Sequence, residues 1–216
     1  MVNTFFSNGS RRCFVQASTT AIELGLAITG TPSASHGCLF YTNSVVFPLT
    51  ILRERCPHSV YSFCGSIYDP LCGGWLFPAS DAKTTGELQR LFNRDEDPLT
   101  TAFLSPSCVT AEGDMFFMRD ETSHLVATVM SSKVPHVVLM AAGDRVRAKP
   151  LGNEATSAVS WLDSIANGKT VSLVFADVRP QYNVQQMAQQ FSKKGIDVTA
   201  FESGKPNWIR LKPQGQ

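Results

Sequence analysis

The distribution of turn-forming residues changes near Pro98, and this change constrains the fold more than any other feature of the sequence. Before Pro98, Gly, Pro and Ser interrupt the apolar positions so often that only short helices fit between them. After Pro98, short runs rich in Val, Thr, Phe and Leu recur as strands do. We therefore predict an α+β protein with a helical, cysteine-bearing, loop-rich part over residues 1–97, followed by a mixed α/β sheet part over residues 98–216.

Two capping-box patterns predict the helices of the first part. Thr20 and Glu23 have the spacing at which a hydroxyl and a carboxylate each accept a backbone N–H at a helix start, and they predict a helix near residues 17–27. Thr84 and Glu87 repeat the pattern and predict a helix near 85–93. The rest of this part is expected to be a loop over residues 30–45, at most a short helix between Pro48 and Pro57, and turns over residues 64–80.

The second part is predicted to hold most of the sheet. We expect an antiparallel meander, a helix, a strand-helix-strand unit whose strands run parallel, and a last strand at an edge. The strands of the meander are predicted at residues 101–109, 115–119, 124–131 and 136–141, and the helix at 155–167. The strand-helix-strand unit is predicted at 170–177, 183–194 and 196–201, and the last strand at 208–211.

The composition excludes several classes of protein. With 43% hydrophobic and 17% charged residues the chain can bury a core, and it contains no run of 18 apolar residues. The N-terminal residues have no basic start followed by an apolar segment, so we expect a cytoplasmic protein with no membrane partner. In that compartment the six cysteines are expected to be reduced.

Basic residues concentrate in the second half of the chain. Residues 1–114 hold seven Lys or Arg against ten Asp or Glu, whereas residues 115–216 hold twelve against eight. Alternation places three basic residues on one face of an extended segment, a lysine pair ends a predicted helix, and an arginine lies near a tryptophan that can stack on a base. We predict nucleic-acid contacts at Arg145, Arg147, Lys149, Lys193, Lys194, Arg210 and Trp208.

The cysteines support one catalytic alternative and no metal site. A structural zinc site needs cysteines two to four residues apart in pairs, and this sequence has none, so no metal is predicted. Cys72 lies in a tight Cys-Gly-Gly-Trp turn, and His124 follows it as a potential base, in the order of a papain-like hydrolase. Phosphate-binding, dinucleotide-binding and metalloprotease motifs are absent, so no cofactor is predicted.

Several segments together resemble the large-subunit protein of type IV CRISPR effector complexes, over about the first 140 residues. They are Ala21–Leu26, a cysteine-bearing loop, Trp75, Glu87–Phe92, Asp97–Pro106 and Glu121–Val129. The resemblance implies a cytoplasmic, non-catalytic subunit of a ribonucleoprotein complex for antiviral defence, with protein partners and with RNA or DNA as ligand. The family carries two close cysteine pairs that bind zinc; here Tyr41 follows Cys38 in a broken first pair, which implies loss of the metal.

The leading interpretation is therefore a non-enzymatic, nucleic-acid-contacting subunit of a multi-protein complex. Two alternatives stay open. One is a cysteine hydrolase that uses Cys72 and His124, and the other is a protein-binding module without catalysis.

Overall fold

The computed structural model describes residues 11–30, 37–53, 59–110, 112–152, 154, 157–176, 189, 192–193, 196–201 and 207–213. In the last two ranges only the backbone is described. The chain forms two compact units: residues 1–105 with 132–134, and residues 106–131 with 135–216. The boundary predicted after residue 97 stays a prediction.

The first unit contains parallel strands with helices between them. Its described strands are β1 (Arg12–Val15), β2 (Leu39–Thr42), β3 (Ser59–Ser62), the hairpin strands β4 (Ile67–Asp69) and β5 (Gly74–Leu76), and β6 (Thr101–Leu104). Its described helices are α1 (Thr19–Thr29), α2 (Val46–Arg53) and α3 (Ala82–Asn93). The parallel strands lie in the order β6-β1-β2-β3, so β1 lies between β6 and β2.

The helices of the first unit cover opposite faces of these strands. Phe40 on β2 packs edge-on against Phe47 of α2, with ring centroids 5.6 Å apart. Phe14 on β1 points to the other face, where its ring meets Phe92 of α3 at 5.1 Å. On the first of these faces, α1 packs against α2 where Gly25 lies beside Thr50. The chain crosses from β1 to β2 over one face of the sheet and reaches β6, on the other side of β1, over the opposite face. The order in which the strands are added to the sheet therefore reverses at β1.

The second unit combines parallel and antiparallel pairing. Its described strands are β7 (Cys108–Val109), β8 (Asp114–Phe117), β9 (His136–Ala142), β10 (Ser157–Ser160), β11 (Thr170–Ala176), β12 (Ile196–Phe201) and β13 (Asn207–Pro213). Strands β9 and β11 pair in parallel, whereas β13 pairs antiparallel with both β11 and β12. Strands β10, β8 and β7 form a small antiparallel sheet. The described helical segments are α4 (Asp120–Ser131), α5 (Leu162–Ala166) and a 3-10 turn (Gly143–Arg145).

The predicted fold class is wrong in the first part, which is α/β from β1 onward and not helical and loop-rich. Strands β1 and β2 lie where no strand and a loop were predicted, and the hairpin lies where turns were predicted. The sequence pattern misses these strands because they are buried. Parallel strands covered on both faces need no alternation of polar and apolar residues, so segments such as Arg12–Val15 carry no period-2 pattern.

The predicted antiparallel meander is also wrong. Residues 120–131 form α4, whose acidic first turn at Asp120 and Glu121 favours a helix start, and β6 and β9 each take part in parallel pairs. The predicted helix over 155–167 is a strand followed by a five-residue helix. The predicted edge strand is β13, which lies between β11 and β12. The helix predicted over 183–194 falls almost wholly outside the described residues.

A search of the described residues finds no helix with the length and apolar character needed to span a bilayer.

Candidate functional site

The carboxyl ends of β1 and β6 form the candidate site of the first unit. These two neighbouring strands lead away in opposite directions around the sheet, since the chain leaves β1 towards β2 on one side and arrives at β6 on the other. In open α/β sheets, such a reversal separates the loops that follow the two strands and leaves a crevice between them, where ligands bind. Gln16 follows β1 and Ser105 follows β6, so the two residues lie where these strands end.

Gln16 and Ser105 are held by hydrogen bonds across the strand ends. The Gln16 backbone N–H donates to the Phe103 carbonyl at 3.0 Å, and the Ser105 N–H donates to Gln16 Oε1, also at 3.0 Å. The Ser105 hydroxyl donates to the Thr20 hydroxyl at 3.1 Å. Gln16 and Ser105 are both buried. The amide and the two hydroxyls therefore form one connected neutral network.

The first turn of α1 lies at the same strand end. Ser18 caps the helix, its hydroxyl accepting the Ala21 N–H at 3.0 Å. Within the described part of the chain, the backbone N–H groups of Thr19 and Thr20 have no protein acceptor. Free N–H groups at a helix start attract anions, because the helix dipole places partial positive charge there.

Asn43 connects the loop after β1 to the hairpin. Its Oδ1 accepts the Ala17 N–H at 2.8 Å, and its Nδ2 donates to the Trp75 carbonyl at 2.8 Å. Gly74 allows this contact: a Cβ at that position would overlap the Ala17 Cβ and come within 2.7 Å of the Asn43 carbonyl oxygen. One buried amide thus fixes both the loop and the hairpin that lie at this edge.

The chemistry available here is recognition by neutral hydrogen bonds together with a helix N-terminus. Amides and hydroxyls both donate and accept, so they suit ligands that carry several hydroxyl groups. Among the described residues, no three His, Cys, Asp or Glu side chains lie close enough together to hold a metal ion. Sequence reasoning missed Gln16, Asn43 and Ser105, whose only local signal is a polar residue directly after a short apolar run.

The structure places the predicted basic residues of the second unit in two different settings. Arg147 forms a bidentate ion pair with Glu154, at 2.7 Å and 3.0 Å, and also donates to the carbonyls of Asp144 and Ser107. Arg145 donates to the Pro106 carbonyl at 3.3 Å. Lys149 is exposed, so the alternating residues share no single free surface.

The Arg147–Glu154 ion pair is largely buried, with 19% and 10% of the two side chains exposed. Burial raises the pKa of Glu154, but the hydrogen bonds from Arg147 and the Leu151 N–H outweigh it and hold that pKa below its ordinary value. The hydrogen bonds that Arg147 donates to Glu154 raise the pKa of Arg147. Both groups are charged and mutually compensated, which ties residues 144–154 together and engages the guanidinium of Arg147.

The remaining predicted nucleic-acid contacts are only partly described. Lys193 is exposed on a helical segment, and Lys194 lies outside the described residues. Trp208 and Arg210 lie on β13 opposite Val174 and Ser172, and the description of that strand covers the backbone alone. As individual ligand contacts, all seven assignments stay predictions.

Cys72 and His124 lie in different units. The Cys72 thiol is half-buried in the turn between the hairpin strands, 3.6 Å from the Asp69 carbonyl and 4.0 Å from that of Gly74. His124 lies on α4, where its carbonyl accepts the Thr128 hydroxyl at 2.9 Å. Burial raises the pKa of three other thiols, Cys13, Cys38 and Cys108.

Comparison with known proteins finds similarity to solved structures and to no known sequence family. No protein-family model and no curated protein matches the sequence. Among solved structures, ribose 5-phosphate isomerase from Plasmodium falciparum matches with 9% identity over 100% of this chain and 78% of its own, at a TM-score of 0.42. Ribose 5-phosphate isomerase A from Neisseria gonorrhoeae matches with 8% identity over 99% and 74%, at 0.41. A D-ribose-5-phosphate isomerase in complex with phospho-erythronic acid matches with 6% identity over 99% and 76%, at 0.39.

The resemblance to the type IV CRISPR large subunit, and the RNA- and DNA-binding function drawn from it, are wrong. The first unit is a parallel sheet with helices between its strands and not the helical, loop-rich part on which the resemblance was based, and no family model or curated protein supports that function or either alternative. The expected protein partners stay a prediction.

Proposed function

We propose that the first unit binds a small phosphorylated polyol, of the sugar-phosphate class, at the carboxyl ends of β1 and β6. The observation that carries the proposal is that the chain leaves β1 towards one side of the sheet and returns to β6 on the other side, because ligands of open α/β sheets bind at such a point. Gln16 and Ser105 follow the two strand ends; the Gln16 amide oxygen accepts the Ser105 N–H, and the Ser105 hydroxyl donates to the Thr20 hydroxyl.

The residues at this point favour a ligand with an anionic end and a hydroxylated body. The Thr19 and Thr20 N–H groups suit a phosphate oxygen, which accepts without needing to donate. The amide of Gln16 and the hydroxyl of Ser105 suit alcohol groups, which donate and accept. One ligand that spans both regions satisfies donors of the helix and of the two strand ends together.

The same residues favour binding over catalysis. Isomerisation of a sugar needs a general base close to the carbon that loses its proton. The residues that form the hydrogen-bond network at this edge, Gln16, Ser18, Thr20, Asn43 and Ser105, include no base at neutral pH. The carboxylate of Asp69 in the hairpin accepts the Leu71 N–H of its own turn at 2.9 Å. We therefore assign this site a recognition role.

The test is calorimetric titration of the full chain with ribose 5-phosphate, ribose and inorganic phosphate. Ribose 5-phosphate should bind more tightly than either fragment. Thr19→Asp places a carboxylate at the first position of α1 and should weaken binding about tenfold or more by repelling phosphate, while the helix dipole keeps the variant stable.

Ala82→Asp is the matched control, because it places the same charge at the first position of α3. Equal loss of affinity in both variants, or no binding of ribose 5-phosphate, would refute the proposal. Conversion of ribose 5-phosphate to a ketose by the purified chain would refute the recognition role but would still support the location of the ligand site.

The cytoplasmic location predicted from the sequence is part of the same proposal. The five described cysteines are free thiols, as in proteins of reducing compartments. Phosphorylated sugars are charged metabolites that a soluble domain meets in that compartment.

A further inference from the structure

A cavity of about 290 Å³ lies beneath α3, on the face of the first unit opposite α1 and α2. It is separate from the strand-end site, because its lining comes from the middle of β2 and β3, the residues after β3, Phe77 and α3. The volume is close to the lower end of the range for pockets that bind small ligands. Its lining includes Tyr41, Tyr61, Phe63, Phe77, Cys64 and Glu87.

Aromatic rings dominate the lining. Tyr41 and Tyr61 are register partners on β2 and β3, and their rings stack with centroids 5.5 Å apart and an interplanar angle of 19°. Phe63 and Phe77 form a second pair at 5.5 Å, tilted by 46°. Tyr61 keeps 58% of its surface exposed although its ring stacks on that of Tyr41. An exposed ring beside a concave aromatic wall leaves π surface available to a ligand.

The charge of the lining is negative. Glu87 is its one ionisable carboxylate or basic residue, and within the described residues it has no ion pair or hydrogen-bond partner. Arg94 is not part of the lining; its guanidinium donates to the Glu96 carbonyl at 2.7 Å and reaches the Tyr41 hydroxyl at 3.4 Å. An aromatic wall with one unpaired carboxylate complements a cation that carries apolar groups, since both the ring faces and Glu87 attract positive charge.

We infer that this cavity is a binding site for a small alkylated ammonium cation. The methyl groups of such a cation fill the apolar space between the tyrosines and α3, its charge rests against the ring faces, and Glu87 supplies the opposite charge at the entrance. A primary ammonium binds less well, because it needs hydrogen bonds that an aromatic wall does not accept strongly.

The experiment is an NMR titration of the full chain with choline and with 3,3-dimethylbutan-1-ol, its uncharged carbon isostere. Choline should bind saturably and about fivefold to thirtyfold more tightly than the isostere, the range of a cation–π contribution. Tyr61→Leu keeps an apolar side chain but removes the ring, and should bring the two affinities together. Tyr68→Leu, an exposed tyrosine on the hairpin, should leave the preference unchanged.

Glu87→Gln tests the charge with the same side-chain shape. It should weaken choline binding about threefold to fivefold and leave the isostere unaffected, whereas Glu23→Gln on α1 should change neither. Cys64 gives a second readout, because its exposed thiol lines the cavity and bound choline should slow its alkylation. The inference would be overturned by equal affinity for choline and the isostere, or by a preference for choline that survives Tyr61→Leu. It would also be overturned if the folded original chain bound no choline.

Discussion

The two units hold their loops together by different chemistry. In the first unit, neutral amides and hydroxyls from Gln16, Asn43 and Ser105 connect the ends of parallel strands. In the second unit, one guanidinium and one carboxylate, Arg147 and Glu154, tie residues 144–154 to the strand region before them. Both arrangements are buried, and both join segments far apart in the chain.

The difference determines which groups stay available to a ligand. A bidentate ion pair uses the directional donors of the arginine and compensates its charge, so little attraction is left for an external phosphate. A neutral network compensates no charge at the helix N-terminus beside it, so the N–H groups of Thr19 and Thr20 keep their attraction for anions. A count of basic residues therefore points towards the less available of the two regions.

Removal of the carboxylate from the ion pair should have the largest effect on stability. Glu154→Gln leaves Arg147 charged and largely buried without its partner, and we expect the free energy of unfolding to fall by about 3 kcal/mol. Chemical denaturation followed by circular dichroism measures this. Asp95→Asn, which removes the exposed partner of Lys133, should cost no more than about 1 kcal/mol. A similar decrease in the free energy of unfolding for both variants would show that the buried ion pair stabilises the second unit no more than an exposed ion pair does.

Removal of the connecting amide in the first unit should have a smaller effect. Asn43→Ala leaves the Ala17 N–H and the Trp75 carbonyl without partners, and should lower the free energy of unfolding by about 2 kcal/mol. Asn93 offers a matched control, because its exposed amide also accepts one backbone N–H and donates to one carbonyl. Asn93→Ala should stay within about 0.5 kcal/mol of the original chain. Two equal losses would contradict the importance of burial for this network.

Acid should reduce the difference between the original chain and Glu154→Gln. The pKa of Glu154 in the folded chain lies below its ordinary value of 4.5, so between these two pH values the unfolded chain binds more protons. The free energy of unfolding therefore decreases as the pH is lowered. The contribution of the pair is complete above that ordinary value and is lost as pH falls through the folded pKa. Unfolding free energies of both proteins, measured from pH 7 downward, should therefore converge. A constant difference over this range would mean that the carboxylate charge is not what stabilises the segment.

Some elements of the fold were predictable because their signals are local. The region of α3 carries acidic and hydroxyl residues at its start and apolar residues at helical spacing, although the cap is Asp81 and the helix begins three residues before the predicted position. By contrast, the sequence predicts a strand over residues 124–131, where the structure has α4. Its Val and Thr residues favour strands by propensity, and its burial on several sides hides the helical period.

The candidate site was not predictable from local patterns. Gln16 and Ser105 are 89 residues apart, and only the parallel pairing of β1 with β6 brings them together. Arg147 was singled out by alternation with Arg145, but alternation contains no information on Glu154, which lies seven residues later and neutralises it. Strand order and ion pairing depend on the folded chain, and these two properties separate the predicted contacts from the observed ones.

The close approach of Gly74 to the loop after β1 gives the molecule a built-in optical probe. The Asn43 amide joins the Ala17 N–H to the main chain of Trp75, whose indole lies 5.5 Å from the Tyr68 ring, so a molecule that shifts this loop also shifts the surroundings of the indole. We therefore expect occupancy of the strand ends to change tryptophan emission, with no dye attached and no residue replaced.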